Sequence, residues 1–221
     1  MSGLQPETGI QQHRPAGFSM AVGILTVLLL AFTVKAQAGS RDQNTSGTAQ
    51  KPAEQYFTNV PLINQAGQEQ ALYRDLLKDK VVIIHSFFTG CKSVCPVSMK
   101  LMAGIQERFA ADMGKNLFIL SFSLDPQTDT PLKLQAYANE LKAGPGWQLI
   151  SGNKENVDFA LKKLGHYVDD IEDHKNTLIL GNEATGLWKK AFLLAKPDAL
   201  DQLIREMLTD KLPVTASIDS P

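Results

Sequence analysis

Apolar and polar positions alternate along this chain in blocks. Val81 to Phe88 is an almost unbroken apolar run rich in β-branched residues, the pattern of a central strand covered on both faces. From Cys95 to Met113, Val97, Leu101, Ile105 and Phe109 recur at helical spacing, which predicts a helix packed through that side. Leu117 to Leu124 is a second buried strand. It leads into Asp125-Pro126-Gln127-Thr128-Asp129-Thr130-Pro131, whose prolines and Thr130 prepare a helix over Pro131 to Leu141. A third strand is predicted over Trp147 to Ile150, and a helix over Lys154 to Leu164. Strands at Thr177 to Leu180 and Leu187 to Lys190 flank a turn at Gly181 to Gly186. The last helix, Pro197 to Leu208, turns Leu200, Leu203, Ile204, Met207 and Leu208 inward. Ahead of these, Tyr56 to Ile63 and the polar stretch after it read as a strand–turn entry, and Leu72 to Leu77 as a helical turn. This order predicts an α/β domain with a mixed central sheet flanked by helices.

The N-terminus is of another kind. Pro15 to Val34 is 20 residues without a charge, between Arg14 and Lys35. About 20 apolar residues span a bilayer as a helix. Ala36-Gln37-Ala38 also offers an A-x-A cleavage site, so residues 15–35 read as a transmembrane anchor or a signal sequence cut after Ala38. Residues 1–14 would then be cytoplasmic, and the domain would lie on the periplasmic or equivalent extracytoplasmic side. Residues 36–55 are small and polar and read as a flexible tether. The globular domain is expected over 56–210, with a disordered tail over 211–221.

Composition narrows the function. A net charge of −1 over 221 residues excludes nucleic acid as an expected partner. Two cysteines in a chain of this length are no disulfide scaffold. Set close together, they point to redox or metal chemistry.

Both cysteines sit in Cys91-Lys92-Ser93-Val94-Cys95-Pro96, between the first strand and its helix. Strand, cysteine loop and helix in this order is the thioredoxin-like plan. Pro96 suits a first helical position, so Cys95 is expected at a helix N-terminus, where the backbone dipole lowers a thiol's pKa. Residues four apart on a helical turn lie roughly 5–6 Å apart at Cβ. Cys91 and Cys95 can therefore share one metal ion or close a redox-active disulfide. An exported domain meets an oxidising compartment, so metal binding by this pair requires a thiol reductant.

Cys91 to Pro96, then Ser123 to Pro131, then Asp173-His174 together resemble the Sco/SenC family of copper chaperones. The resemblance runs from about Tyr56 to Leu208. It implies a thioredoxin-like fold and copper, as Cu(I) or Cu(II), held by Cys91, Cys95 and His174. It further implies delivery of copper to the binuclear copper centre of cytochrome c oxidase, or to another cuproprotein, or reduction of the cysteines of that centre. Two thiolates and one imidazole suit copper, since soft sulfur ligands select Cu(I). Where the family usually has proline and an acidic residue after the first cysteine, this chain has Lys92 and Ser93. The positive charge is expected to lower the thiol pKa further. Asp125 is either a residue orienting a ligand or a turn-initiating aspartate. His85, inside a strand, reads as a hydrogen-bonded core histidine. His166, after Gly165 at a helix end, reads as a capping or surface residue. Met99 and Met102 read as core packing. A thiol–disulfide oxidoreductase is the reading of a different class. It would need no third ligand, although the common dithiol motif is C-x-x-C.

Overall fold

The structure, a computed structural model, describes residues 50–92, 95–171, 177–193 and 195–212. The apolar run predicted as the central strand is β3, Val81–Phe87, with Val82, Ile83, Ile84 and Phe87 fully buried. Burying each such side chain stabilises by about 1.5–3 kcal/mol. Its parallel neighbour is β4, Leu117–Ser123, paired in register from Val81–Leu117 to Phe87–Ser123. The other strands are β1 (Pro61–Asn64), β2 (Glu69–Ala71), β5 (Trp147–Ser151), β6 (Thr177–Asn182) and β7 (Leu187–Phe192). Together they form one seven-stranded sheet in the order β2-β1-β5-β4-β3-β6-β7. The β3–β4 and β4–β5 pairs are parallel, and the β1 and β6–β7 pairings are antiparallel.

Among the described residues five α-helices accompany the sheet: α1 (Gln50–Phe57), α2 (Cys95–Arg108), α3 (Pro131–Leu141), α4 (Lys154–Leu164) and α5 (Pro197–Thr209). The sequence explains several of their ends. Thr130 accepts a hydrogen bond from Lys133 N–H at the start of α3, and Pro131 takes the first helical position. Asn153 caps α4, which ends at Gly165 with φ of 71°, a conformation that favours glycine. Residues Leu72–Leu77 form a π-helical turn rather than an ordinary one.

Three expectations change. Helix α1 begins at Gln50, inside the stretch read as tether, and its Phe57 is buried against Trp188, with ring centroids 5.4 Å apart. Tertiary packing thus makes a helix where composition signals none. Val97 is 51% exposed, because the inner face of α2 is Cys95, Ser98, Met99, Met102 and Ile105. His166 is fully buried: the chain folds back after Gly165, its N–H bonded to Leu161 O at 2.9 Å. The anchor or signal segment, most of the tether and residues 213–221 lie outside the described residues. Among the described residues, no helix is long and apolar enough to cross a membrane.

Candidate metal and thiol site

Because β3 and β4 are parallel and in register, the loops that leave their C-terminal ends lie side by side, where open α/β sheets place their ligands. The loop after β3 carries Cys91, and α2 opens on Cys95. The loop after β4 is Leu124 to Thr130. Leu124 N–H bonds Phe87 O at 2.8 Å and locks the two exits together.

The cysteine loop is held in three ways. Cys91 N–H donates to Phe88 O at 3.1 Å. Cys95 N–H donates to Cys91 Sγ at 3.4 Å, so the first sulfur caps the helix that the second begins. Asp129, fully buried, accepts from Thr89 N–H at 3.3 and 3.2 Å, from the Thr89 hydroxyl, and from Ser123 Oγ at 2.6 Å. Nothing local in the sequence assigns Asp129 this part. Its work becomes visible only once β3 and β4 are in register.

Both cysteines are thiols. Cys91 is half-buried, and Cys95 is 1% exposed. The expectation of a lowered pKa is overturned for Cys95. Burial, then the hydrogen bond with Cys91, push it up to about 12, against a backbone hydrogen bond from Phe88 that acts the other way. Desolvation of a thiolate outweighs the helix N-terminus here. Tyr137 of α3 stands close by, its ring stacked on Phe87 at 5.9 Å. Burial and then the charges of Cys95 and Cys91 push its phenol up to about 12, which puts it within electrostatic reach of both sulfurs. Sequence reasoning gave no signal for it, since a lone tyrosine on a helix reads as packing.

Asp125 is half-buried. Its Oδ1 accepts Thr128 N–H at 3.3 Å, and its carbonyl accepts Thr128 and Asp129 N–H at 3.1 and 2.8 Å, the bonding of a turn-forming aspartate. It also lines a cavity of about 160 Å³ with Lys154, Asp158, Tyr167 and Ile171. His174 lies outside the described residues. Among the described residues no group of three or more His, Cys, Asp or Glu is poised to hold a metal ion.

His85 is a core histidine, as expected. It is fully buried, with Nε2 2.7 Å from Ser121 Oγ, which also accepts Trp147 Nε1–H at 2.9 Å. His166 lies with Nδ1 3.4 Å from Ser86 Oγ. Met99 and Met102 are buried in the core.

Comparison with known proteins decides the family, since the sequence model of SCO1/SenC matches residues 48–207. The chain belongs to the SCO1/SenC family. A SCO1 protein homolog of Bacillus subtilis is 32% identical over 138 residues, covering 61% of this chain and 65% of that protein. The chain thus spans slightly under two thirds of that SCO1 relative. Copper-bound yeast Sco1 is similar in structure, with a TM-score of 0.59, 22% identity, and coverage of 71% of this chain and 94% of that one. So is BsSco, described as a cytochrome c oxidase assembly protein with a disulfide switch. Its TM-score is 0.57 at 24% identity, covering 68% of this chain and 92% of that one. These likenesses establish the Sco thioredoxin-like fold for the SCO1/SenC domain here.

Proposed function

We propose that this SCO1/SenC chain is a membrane-tethered copper metallochaperone. It takes copper on Cys91, Cys95 and His174 and passes it by ligand exchange to the copper-receiving subunit of cytochrome c oxidase or another cuproprotein. The observation that carries the reading is the pairing of the two cysteines at a helix start: Cys95 N–H donates to Cys91 Sγ at 3.4 Å, and the two side chains share a hydrogen bond. Two soft donors with one half-buried sulfur fit Cu(I) as cargo. The apolar run of residues 15–35, read as an anchor or signal segment, supports a position of the domain on the periplasmic or equivalent extracytoplasmic side. Asp125 and Asp129 shape the neighbouring loop, Asp129 by direct bonds to Thr89.

The test is copper stoichiometry and optical spectrum of the reduced protein, beside Cys91→Ser, Cys95→Ser and His174→Ala. About one copper per chain is expected, lost in either cysteine variant and weakened in the histidine variant. Unchanged copper binding in His174→Ala removes that residue from the site.

A second reading rests on the same proximity: the two sulfurs exchange electrons with a partner's cysteines as a thiol–disulfide couple. Turnover of a disulfide substrate by metal-free protein, unaffected by His174→Ala, would favour it over copper carriage.

A further inference from the structure

An apolar groove of about 550 Å³ opens on the face that carries α1. Its walls are Ala53, Tyr56 and Phe57 of α1, Leu164 at the end of α4, Ile179 of β6 and Trp188 of β7. Neither Cys91 nor Cys95 lines it. Tyr56 is 51% exposed at its mouth. Lys163 stands at the rim, its ammonium 4.4 Å from the Tyr56 ring centroid and 5.4 Å from that of Phe159.

This combination is an apolar slot edged by tyrosine, tryptophan and lysine. It matches the chemistry of a membrane interface, where aromatic rings sit at headgroup depth and lysines face anionic phosphates. Its place in the chain points the same way. Helix α1 is the first described element, and residues 35–49, fifteen residues, separate it from the end of the apolar run at Val34. Fifteen residues reach about 50 Å at most, so a bilayer entered by residues 15–35 is within reach of α1 and of the groove it walls.

We propose that this groove docks the domain on the bilayer surface. An acyl chain of an anionic phospholipid enters between Tyr56 and Trp188, and its phosphate rests against Lys163. The proposal rests on the membrane-tether reading given above. It adds to it that the domain lies on the membrane by a defined face instead of floating at the end of its tether.

Tryptophan fluorescence tests this on the full chain. The protein has two tryptophans, and Trp147 is 1% exposed in the core, so the difference between wild type and Trp188→Phe isolates the groove. The probe is vesicles of phosphatidylglycerol brominated on the acyl chains, against the same lipid without bromine. The expected result is at least twofold quenching of the Trp188 signal, clearly weaker in brominated phosphatidylcholine and in Lys163→Glu. Tyr56→Ser, which keeps both tryptophans, should also weaken it and covers the case in which Trp188→Phe folds poorly. Flotation of the chain with vesicles after alkaline extraction reports the tether separately. Quenching without alkali-resistant flotation supports the docking face and removes the anchor. Flotation without quenching overturns the docking face and leaves the anchor standing. Two other occupants would also overturn the proposal. One is the chain's own tail, if Trp188 is shielded from iodide without lipid and becomes accessible after truncation at Leu212. The other is a second copy, if the shielding rises with protein concentration.

Discussion

Thr89 donates its backbone N–H to both carboxylate oxygens of Asp129, at 3.3 and 3.2 Å across forty residues of sequence. The bond ties the cysteine loop after β3 to the loop after β4 from inside the protein. Removing the carboxylate leaves the Thr89 N–H and Ser123 hydroxyl without their acceptor. Each such buried loss costs about 1–3 kcal/mol. Asp129→Ala is expected to lower stability by a few kcal/mol in urea titration and to weaken copper binding besides. Asp129→Asn, which keeps one carbonyl acceptor, should lose less of both. Copper affinity equal to wild type in Asp129→Ala would show that the tie serves folding alone.

Copper uptake by this site should release protons. Burial holds the Cys95 pKa at about 12, so the thiol is protonated across the neutral range and loses its proton on coordination. The sign follows directly: affinity rises with pH, by about tenfold per unit for the Cys95 proton, as long as pH stays below that pKa. Titration calorimetry in buffers of different ionisation enthalpy checks this. A proton count near zero at pH 7 would mean that Cys95 enters the site already ionised, or stays outside it.

Acid should destabilise the domain through His85. Burial first, and the nearby charge of His166 second, push its pKa down from 6.5 to about 3. The unfolded chain therefore binds a proton that the folded chain refuses. The stability this histidine leaves intact above pH 6.5 is lost as pH falls from there towards 3, at about 1.4 kcal/mol per pH unit. Urea midpoints between pH 7 and 4 should show that slope in wild type and a shallower one in a His85→Leu variant, whatever that variant's baseline stability. Equal slopes would place the acid sensitivity elsewhere.

Gly181 has no room for a side chain. A Cβ there would lie 2.2 Å from Trp188 Cζ3, because the indole lies flat on the β6 backbone. Gly181→Ala should cost about 1–3 kcal/mol as overpacking. It should also displace Trp188, seen as a red shift in its emission. An unshifted spectrum with wild-type stability would refute the packing.

What the sequence makes legible follows the physics of each element. The β3 and β4 runs, the start of α2 at Cys95 and both ends of α4 could be read directly, because they depend on local apolar runs, Pro96, Asn153 and Gly165. The inner face of α2 is legible only in part. Positions spaced by four drift about 40° per step on a 3.6-residue helix, so Ile105 and Phe109 are buried as expected, while Val97 at the start of the same row is exposed and Cys95, Met99 and Met102 complete the face. His166 looked exposed because nothing local signals that the chain turns back onto the sheet after Gly165. The helix end and Lys92 predict a lowered cysteine pKa, whereas the outcome for Cys95 depends on burial, a tertiary quantity. Asp129 and Tyr137 needed the β3–β4 register and the packing of α3 before either could be linked to the sulfurs.

The two sulfurs differ in access, one half-buried and one sealed at 1% exposure. Their chemistry is therefore ordered in time. An incoming thiol or alkylating reagent meets Cys91 first, while Cys95 stays behind the packing at the start of α2, so Cys91 is expected to react well ahead of Cys95 in the folded protein.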